Sequence, residues 1–145
     1  MERVKTGGLA LLALTGSALA QILGGVDMIL QVLLGFMTAD LITGVLVAWL
    51  WKKSRKTPGG ALDSRAGARG LARKMMILLF VALGVLLDRL TGNDFLRDAV
   101  CMFYIGNEGL SILENTAIMG LPWPESVKNA LEVMRKQGDG DQNTP

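Results

Sequence analysis

MILQVLLGFMTADLITGVLVAWLW, residues 28–51, is a mostly apolar stretch that carries a single charge, Asp40. A helix of this length measures about 36 Å, enough to cross the ~30 Å hydrocarbon core of a bilayer with some tilt. Trp49 and Trp51 close the stretch next to Lys52, as is typical of an aromatic anchor at a membrane surface. The stretch therefore predicts a transmembrane helix.

Three further apolar stretches, at about residues 7–25, 71–90 and 95–120, predict helices that accompany this span. The fold expected is an all-α integral membrane protein with three to four transmembrane helices and a homo-oligomeric assembly. Residues 1–136 form a single membrane domain in this prediction. After the spans we expect a short amphipathic helix from Glu125 to about Lys136 and a disordered tail at 137–145.

The first apolar stretch admits a second interpretation. Arg3 and Lys5 precede it, and Ala18-Leu19-Ala20 has the small-residue pattern of a signal-peptide cleavage site. A helical hairpin is favoured, because the next apolar stretch follows after a short turn. Whether the first stretch stays in the membrane is left open by the sequence.

The long polar loop at residues 52–74 holds eight of the 15 Lys and Arg residues of the chain, with Asp63 as its one acidic residue. Pro58-Gly59-Gly60 is expected to interrupt any helix there. The positive-inside rule places such a loop in the cytoplasm, together with both termini if there are four spans. Affinity for anionic headgroups is favoured over nucleic-acid binding. The basic residues are Lys52, Lys53, Arg55, Lys56, Arg65, Arg69, Arg73 and Lys74.

The helix predicted at 95–120 carries a polar stripe. At 100° per residue its members share an arc of about 120°. They are Arg97, Tyr104, Asn107, Glu108, Ser111, Glu114 and Asn115. One acidic residue at mid-span costs about 2.5–3.5 kcal/mol against lipid. The stripe is therefore expected to face water in a pore, to be buried against other polar helix groups, or to lie along the interface. The opposite face is apolar and is expected to meet lipid.

Small residues recur every four positions in two of the predicted helices, a spacing that lets helices approach closely in lipid. The repeats are Gly16, Ala20 and Gly24 in the first and Asp40, Gly44 and Ala48 in the second. Asp40 either packs a helix pair or lines an aqueous path; the sequence supports both interpretations equally.

The residue inventory excludes several classes of enzyme. The chain has no His and one Cys, Cys101, so a Ser/His/Asp hydrolase, a Cys/His hydrolase and a zinc enzyme are ruled out. No phosphate-binding loop is present in a strand–loop–helix context. We therefore expect no enzymatic activity, no cofactor and no metal site. From the residues alone, the function is that of a pore, a channel or a transporter subunit.

Two segments resemble the phage holin family that includes the clostridial toxin-secretion and phage-lysis holins. MTADLITGVLVAW (37–49), with Asp40 and Gly44, is similar to that family's second-span motif. YIGNEGLSILENTAIMGLPWPESVKNAL (104–131) follows its C-terminal signature in order. The similarity extends over about residues 28–131. The run Ser64…Gly70…Lys74 is in addition similar to the Ser…Gly…Lys run that precedes that family's third span.

The resemblance implies a holin of the bacterial cytoplasmic membrane. Such proteins oligomerise into lesions that release an endolysin, and in some relatives the hole exports toxins. Asn107, Glu108, Ser111, Glu114 and Asn115 would then line the hole or the seam between protomers, with Tyr104 and Asp40. The alternatives are a small ion or proton channel, a transporter subunit, and an antiholin that regulates a partner holin.

Overall fold

The computed structural model describes residues 2–53, Gly59 and residues 63–138, without the side chains of residues 2–5. The regular structure of this part of the chain is helical. Its elements are α1 (Glu2–Ile22), α2 (Met28–Leu46) with a π-helical continuation (Val47–Trp51), α3 (Ser64–Thr91), α4 (Leu96–Ile118) and α5 (Glu125–Gly138). The predicted helical fold is confirmed.

The start of α3 corrects the predicted loop. Residues 64–74 are helical, because Asp63 caps the helix by accepting a hydrogen bond from the Arg65 N–H and no Pro follows. The predicted 52–74 loop is therefore shorter than expected. Five of its basic residues are exposed as expected: Lys52, Lys53, Arg65, Arg69 and Arg73. Arg55 and Lys56 lie outside the described residues.

Helices α2, α3 and α4 pack into a bundle with α4 in contact with both others. Its core includes Leu33, Ile77, Val81, Cys101 and Ile105, each almost fully buried. The N-terminal ends of α2 and α4 meet, so these helices run parallel, and α3 runs antiparallel to both. Side chains from three helices thus converge on one interior.

The predicted lipid-facing side of α4 is covered by α5. A Cβ added at Gly106 would lie 2.6 Å from the Leu131 carbonyl oxygen, and one at Gly109 would meet the Leu131 side chain at 2.6 Å. Gly106 therefore brings the backbones of the two helices into contact, and Gly109 makes room for the Leu131 side chain. The expectation that the apolar face of α4 meets lipid is wrong, because that face packs against α5. α5 extends two residues past Lys136, and residues 139–145 of the predicted tail lie outside the described residues.

Two described helices are long and apolar enough to cross a membrane: Met28–Trp51 and Ser64–Thr91, of 24 and 28 residues. The apolar part of α1, Thr6–Ile22, is shorter. Extensive contacts between α1 and the other described helices are absent. The predicted count of three to four spans and the homo-oligomer stay predictions.

The small-residue repeats have different surroundings. A Cβ added at Gly44 would lie 3.7 Å from the Asn115 amide nitrogen, and Ala48 is buried near α4, so this repeat packs helix on helix. Gly24 lies beyond the end of α1, where it adopts a φ of +82° in the turn to α2. It therefore cannot share a helix face with Gly16 and Ala20, and Gly16 has open space around it.

Candidate functional site

The centre of the bundle holds a cluster of three charged side chains, one from each helix. The Lys74 ammonium of α3 donates to Oδ2 of Asp40 on α2, at 3.0 Å, and to Oε2 of Glu108 on α4. Asp40, Lys74 and Glu108 are 5, 9 and 2% exposed. We call these three residues the buried ionic cluster.

An amide extends the cluster along α4. Nδ2 of Asn115 donates to Oδ1 of Asp40 at 3.3 Å and to Oγ1 of Thr43 at 3.0 Å. The Thr43 hydroxyl in turn donates to the Ala39 carbonyl oxygen at 2.9 Å. Both carboxylate oxygens of Asp40 therefore accept a hydrogen bond, and the α2–α4 contact is made by polar groups as well as by packing.

The cluster has the energetic character of a buried ion pair. Ions leave water at a cost of several kcal/mol each, which their mutual attraction roughly offsets when their hydrogen bonds are satisfied. Removing one partner costs about 3–5 kcal/mol, because a charge is left buried and uncompensated. The cluster can therefore hold α2, α3 and α4 together only while all three charges are in place.

A second ionic site joins the helices at the far end of the bundle. The Arg97 guanidinium makes two bonds to the Asp27 carboxylate, of 2.6 and 2.9 Å. It also donates to the Leu23 carbonyl at 2.8 Å and to the Gly25 carbonyl at 3.2 Å. The Asp27 side chain is 47% exposed. We call the Asp27–Arg97 pair the outer clasp.

Two aspartates, Asp88 and Asp27, make further hydrogen bonds at this end of the bundle. The Asp88 carboxylate accepts from the N–H groups of Leu96 and Arg97, both at 2.9 Å, and so ties the end of α3 to the start of α4. The hydrogen bond from Arg97 lowers the pKa of Asp27 below its ordinary value of 3.8. Asp27 also caps α2 by accepting from the Leu30 N–H at 3.1 Å.

The predicted stripe on α4 divides into an inner and an outer edge. Glu108 and Asn115 point inward to Lys74 and Asp40, and are buried. Asn107 and Ser111 are half-buried and Glu114 is exposed. Tyr104 stacks on Phe80, with ring centroids 6.1 Å apart. The structure thus brings Asp40 together with two of the stripe residues, and leaves Asn107, Ser111 and Glu114 at the rim of the bundle.

Two functional partners are not predicted by the sequence. The sequence assigns Lys74 to the cytoplasmic basic loop, but its ammonium turns inward, because Asp40 and Glu108 together attract a cation more strongly than a headgroup region does. It places Arg97 on the stripe without a partner. Aspartates cluster at the helix ends away from the basic loop, at positions 27, 88, 94 and 98, and this is the signal that could have identified Asp27 and Asp88 as neighbours of Arg97.

The chain is similar to proteins of a known family. The model of the bacteriophage holin family matches residues 17–136. A protein of Bacillus phage phi105 named "Probable holin" is 37% identical over 116 residues, which cover 79% of this chain and 78% of that one. No solved structure matches the chain.

Two bacterial relatives have no assigned function. An uncharacterized protein of Listeria innocua is 36% identical over 129 residues, or 88% of this chain and 86% of its own length. One of Clostridium perfringens is 39% identical over 124 residues, or 84% and 88%. The family and the two long apolar helices point to a membrane protein. With the family model matching most of its length, the chain belongs to the bacteriophage holin family.

Proposed function

We propose that the protein is a holin that oligomerises in the bacterial cytoplasmic membrane and opens holes large enough to release a phage endolysin or a toxin. The observation that carries the proposal is the buried ionic cluster. It joins three helices of a chain that belongs to the holin family, two of them long enough to span a bilayer. Charged groups at membrane depth mark functional sites by default.

The cluster supports a resting state in which polar groups are hidden inside each protomer. In this state Lys74 and Asn115 satisfy the carboxylates of Asp40 and Glu108, so the outer surface of α2 and α3 stays apolar. Opening then exchanges these contacts for water or for the next protomer. Collapse of the membrane potential is the trigger in this proposal, because a net charge buried in the membrane responds to the field.

The remaining stripe residues form the surface through which a protomer is proposed to meet its neighbour or the lumen of the hole. Asn107, Ser111 and Glu114 lie at the rim of the bundle, where another protomer or a water-filled lumen can reach them. Replacing Glu108 and Glu114 by Gln is expected to shift the time of lysis. Unchanged timing in both variants would remove the carboxylates from the switch.

Induced expression with and without a cytoplasmic endolysin tests the function. We expect abrupt lysis only when both proteins are made, with endolysin activity appearing in the medium at the same moment. An inactive endolysin is the matched control. Slow loss of ions with the endolysin retained in the cell would contradict the proposal.

A small ion or proton channel is the second candidate, and the same cluster favours it. Two carboxylates and one ammonium inside a helix bundle are groups that can relay cations. Leak size separates the two functions, since a channel passes ions and a holin passes folded proteins. An antiholin would instead delay the lysis caused by a partner holin and would cause none alone.

A further inference from the structure

Helix α5 retraces α4 towards the outer clasp. Leu131 lies against Gly106 and Gly109, and a Cβ at Gly138 would lie 2.5 Å from the Ala99 carbonyl oxygen. Ala99 is two residues beyond Arg97, which binds Asp27 in the turn before α2. The end of α5 therefore lies near the level at which α2 begins, and α5 runs beside the bundle for most of its length.

Because α5 runs beside the bundle, its charged side chains lie at the same depth as the apolar helices α2 and α3. α5 carries Lys128, Glu132, Arg135 and Lys136 within one 14-residue helix. Lys128 and Lys136 are exposed, whereas Leu131 is buried against α4. If α2 and α3 cross the bilayer, these charges lie where hydrocarbon contact is unfavourable. Their face of α5 must then meet water.

A groove between the two helices joins α5 to the polar stripe. Its volume is about 750 Å³, and its lining combines apolar residues of α4 with charged residues of both helices. Lining residues include Leu110, Glu114, Trp123, Lys128, Glu132 and Arg135. Glu114, the exposed member of the stripe, thus lines the same groove as the charged residues of α5, across a floor that is mainly apolar.

We propose that α5 is a re-entrant helix whose charged face forms a wetted wall of the hole. In this arrangement Gly138 lies on the same side of the membrane as Asp27, opposite to the side that the positive-inside rule predicts for the C-terminus. The inner edge of the stripe, Glu108 and Asn115, holds the resting protomer together through Lys74 and Asp40. The inference rests on the proposed function, because it assigns the lining of the same hole.

Cysteines introduced on α5 report which of its faces meets water. Asn129→Cys and Lys136→Cys lie on the exposed side of α5, and Met134→Cys, half-buried and packed on the core, is the matched control. Each full-length variant is expressed in intact membrane vesicles and treated with a membrane-impermeant, water-soluble maleimide. Native Cys101, fully buried, is the internal negative control in the wild-type chain.

Two exposed positions define the sides of the membrane: Asn93→Cys for the turn between α3 and α4, and Lys53→Cys for the end of α2. We expect Lys136→Cys to react from the same side as Asn93→Cys. We also expect Asn129→Cys and Lys136→Cys to react on the order of tenfold faster than Met134→Cys, since thiol reactivity follows exposure.

Two results would overturn the inference. Lys136→Cys reacting only from the side of Lys53→Cys would place α5 outside the bilayer, beside the basic segment. Reaction of the α5 cysteines only with a lipid-soluble reagent would place their face in hydrocarbon.

The same strains are induced with the endolysin to keep the two proposals apart. Endolysin release together with either overturning result leaves the holin standing and removes the re-entrant helix. The expected labelling without any endolysin release would keep the re-entrant helix and remove the holin function.

Discussion

The buried ionic cluster and the outer clasp both pair basic with acidic side chains across helices, but they differ in their surroundings. Side chains of the cluster are 3–11% exposed, whereas Asp27 in the clasp is 47% exposed. Water can replace a lost partner at Asp27 and cannot reach Glu108. The cluster therefore controls whether three helices stay together, and the clasp positions the start of α4.

The largest expected effect comes from removing the shared cation of the cluster. Lys74→Met leaves the carboxylates of Asp40 and Glu108 facing each other in the core, and we expect a loss of about 3–5 kcal/mol of stability. Thermal unfolding in detergent measures it. Arg73→Met, at the exposed neighbouring position, is the control. Equal unfolding temperatures for the two variants would show that the cluster is solvated.

Removing all three charges of the cluster distinguishes its role in stability from its role in the timing of lysis. The triple variant Asp40→Asn, Lys74→Met, Glu108→Gln carries no buried charge, so we expect it to regain most of the stability lost by Lys74→Met, roughly 2 kcal/mol or more. Its lysis timing in an induction experiment should still differ from that of the wild type. Wild-type timing would make the cluster a structural element only.

A smaller effect is expected at the outer clasp. Asp27→Asn keeps the cap of α2, since Asn caps as well as Asp, but removes the carboxylate charge that accepts two bonds from Arg97. The Asp98 carboxylate, 3.1 Å from the guanidinium, and two backbone carbonyls remain as partners of Arg97 and limit the loss to about 1–2 kcal/mol. Asp94→Asn, on the adjacent exposed turn, is the control. A loss of stability as large as that of Lys74→Met, measured by the same thermal unfolding, would show that the two sites do not differ.

The pH dependence of the clasp should be the smallest effect. Because the pKa of Asp27 is lowered when folded, its contribution is present above the unfolded pKa and is lost as pH falls through the folded one. The difference in unfolding temperature between wild type and Asp27→Asn should stay constant from about pH 7 to 5 and shrink below about pH 4. A difference that shrinks already near neutral pH would contradict this sign.

The sequence is sufficient to predict helices and insufficient to predict their partners. The apolar stretch at 28–51 forms α2 and its continuation, because length and hydropathy are local properties. The direction of the Lys74 side chain is not set locally, because a Lys at the edge of an apolar stretch snorkels or pairs according to what faces it. Its partners Asp40 and Glu108 are each 34 residues away.

Helix α5 is a second case in which the sequence predicts a helix but not its neighbour. Its charges are typical of a helix on a protein surface in water, and its sequence alone predicts no more than a short amphipathic helix. Its neighbour is indicated only by Gly106 and Gly109, which lie on the apolar face of α4 and allow close contact with Leu131. Small residues identify a close helix contact without naming the helix that makes it.

Release of solutes from liposomes tests hole formation most directly. Purified protein is reconstituted with a small dye and a folded fluorescent protein trapped together, and a membrane potential is imposed and then collapsed. The holin account predicts that both solutes leave together after the collapse. Escape of the dye alone, with the folded protein retained, would contradict it and leave an ion channel as the function.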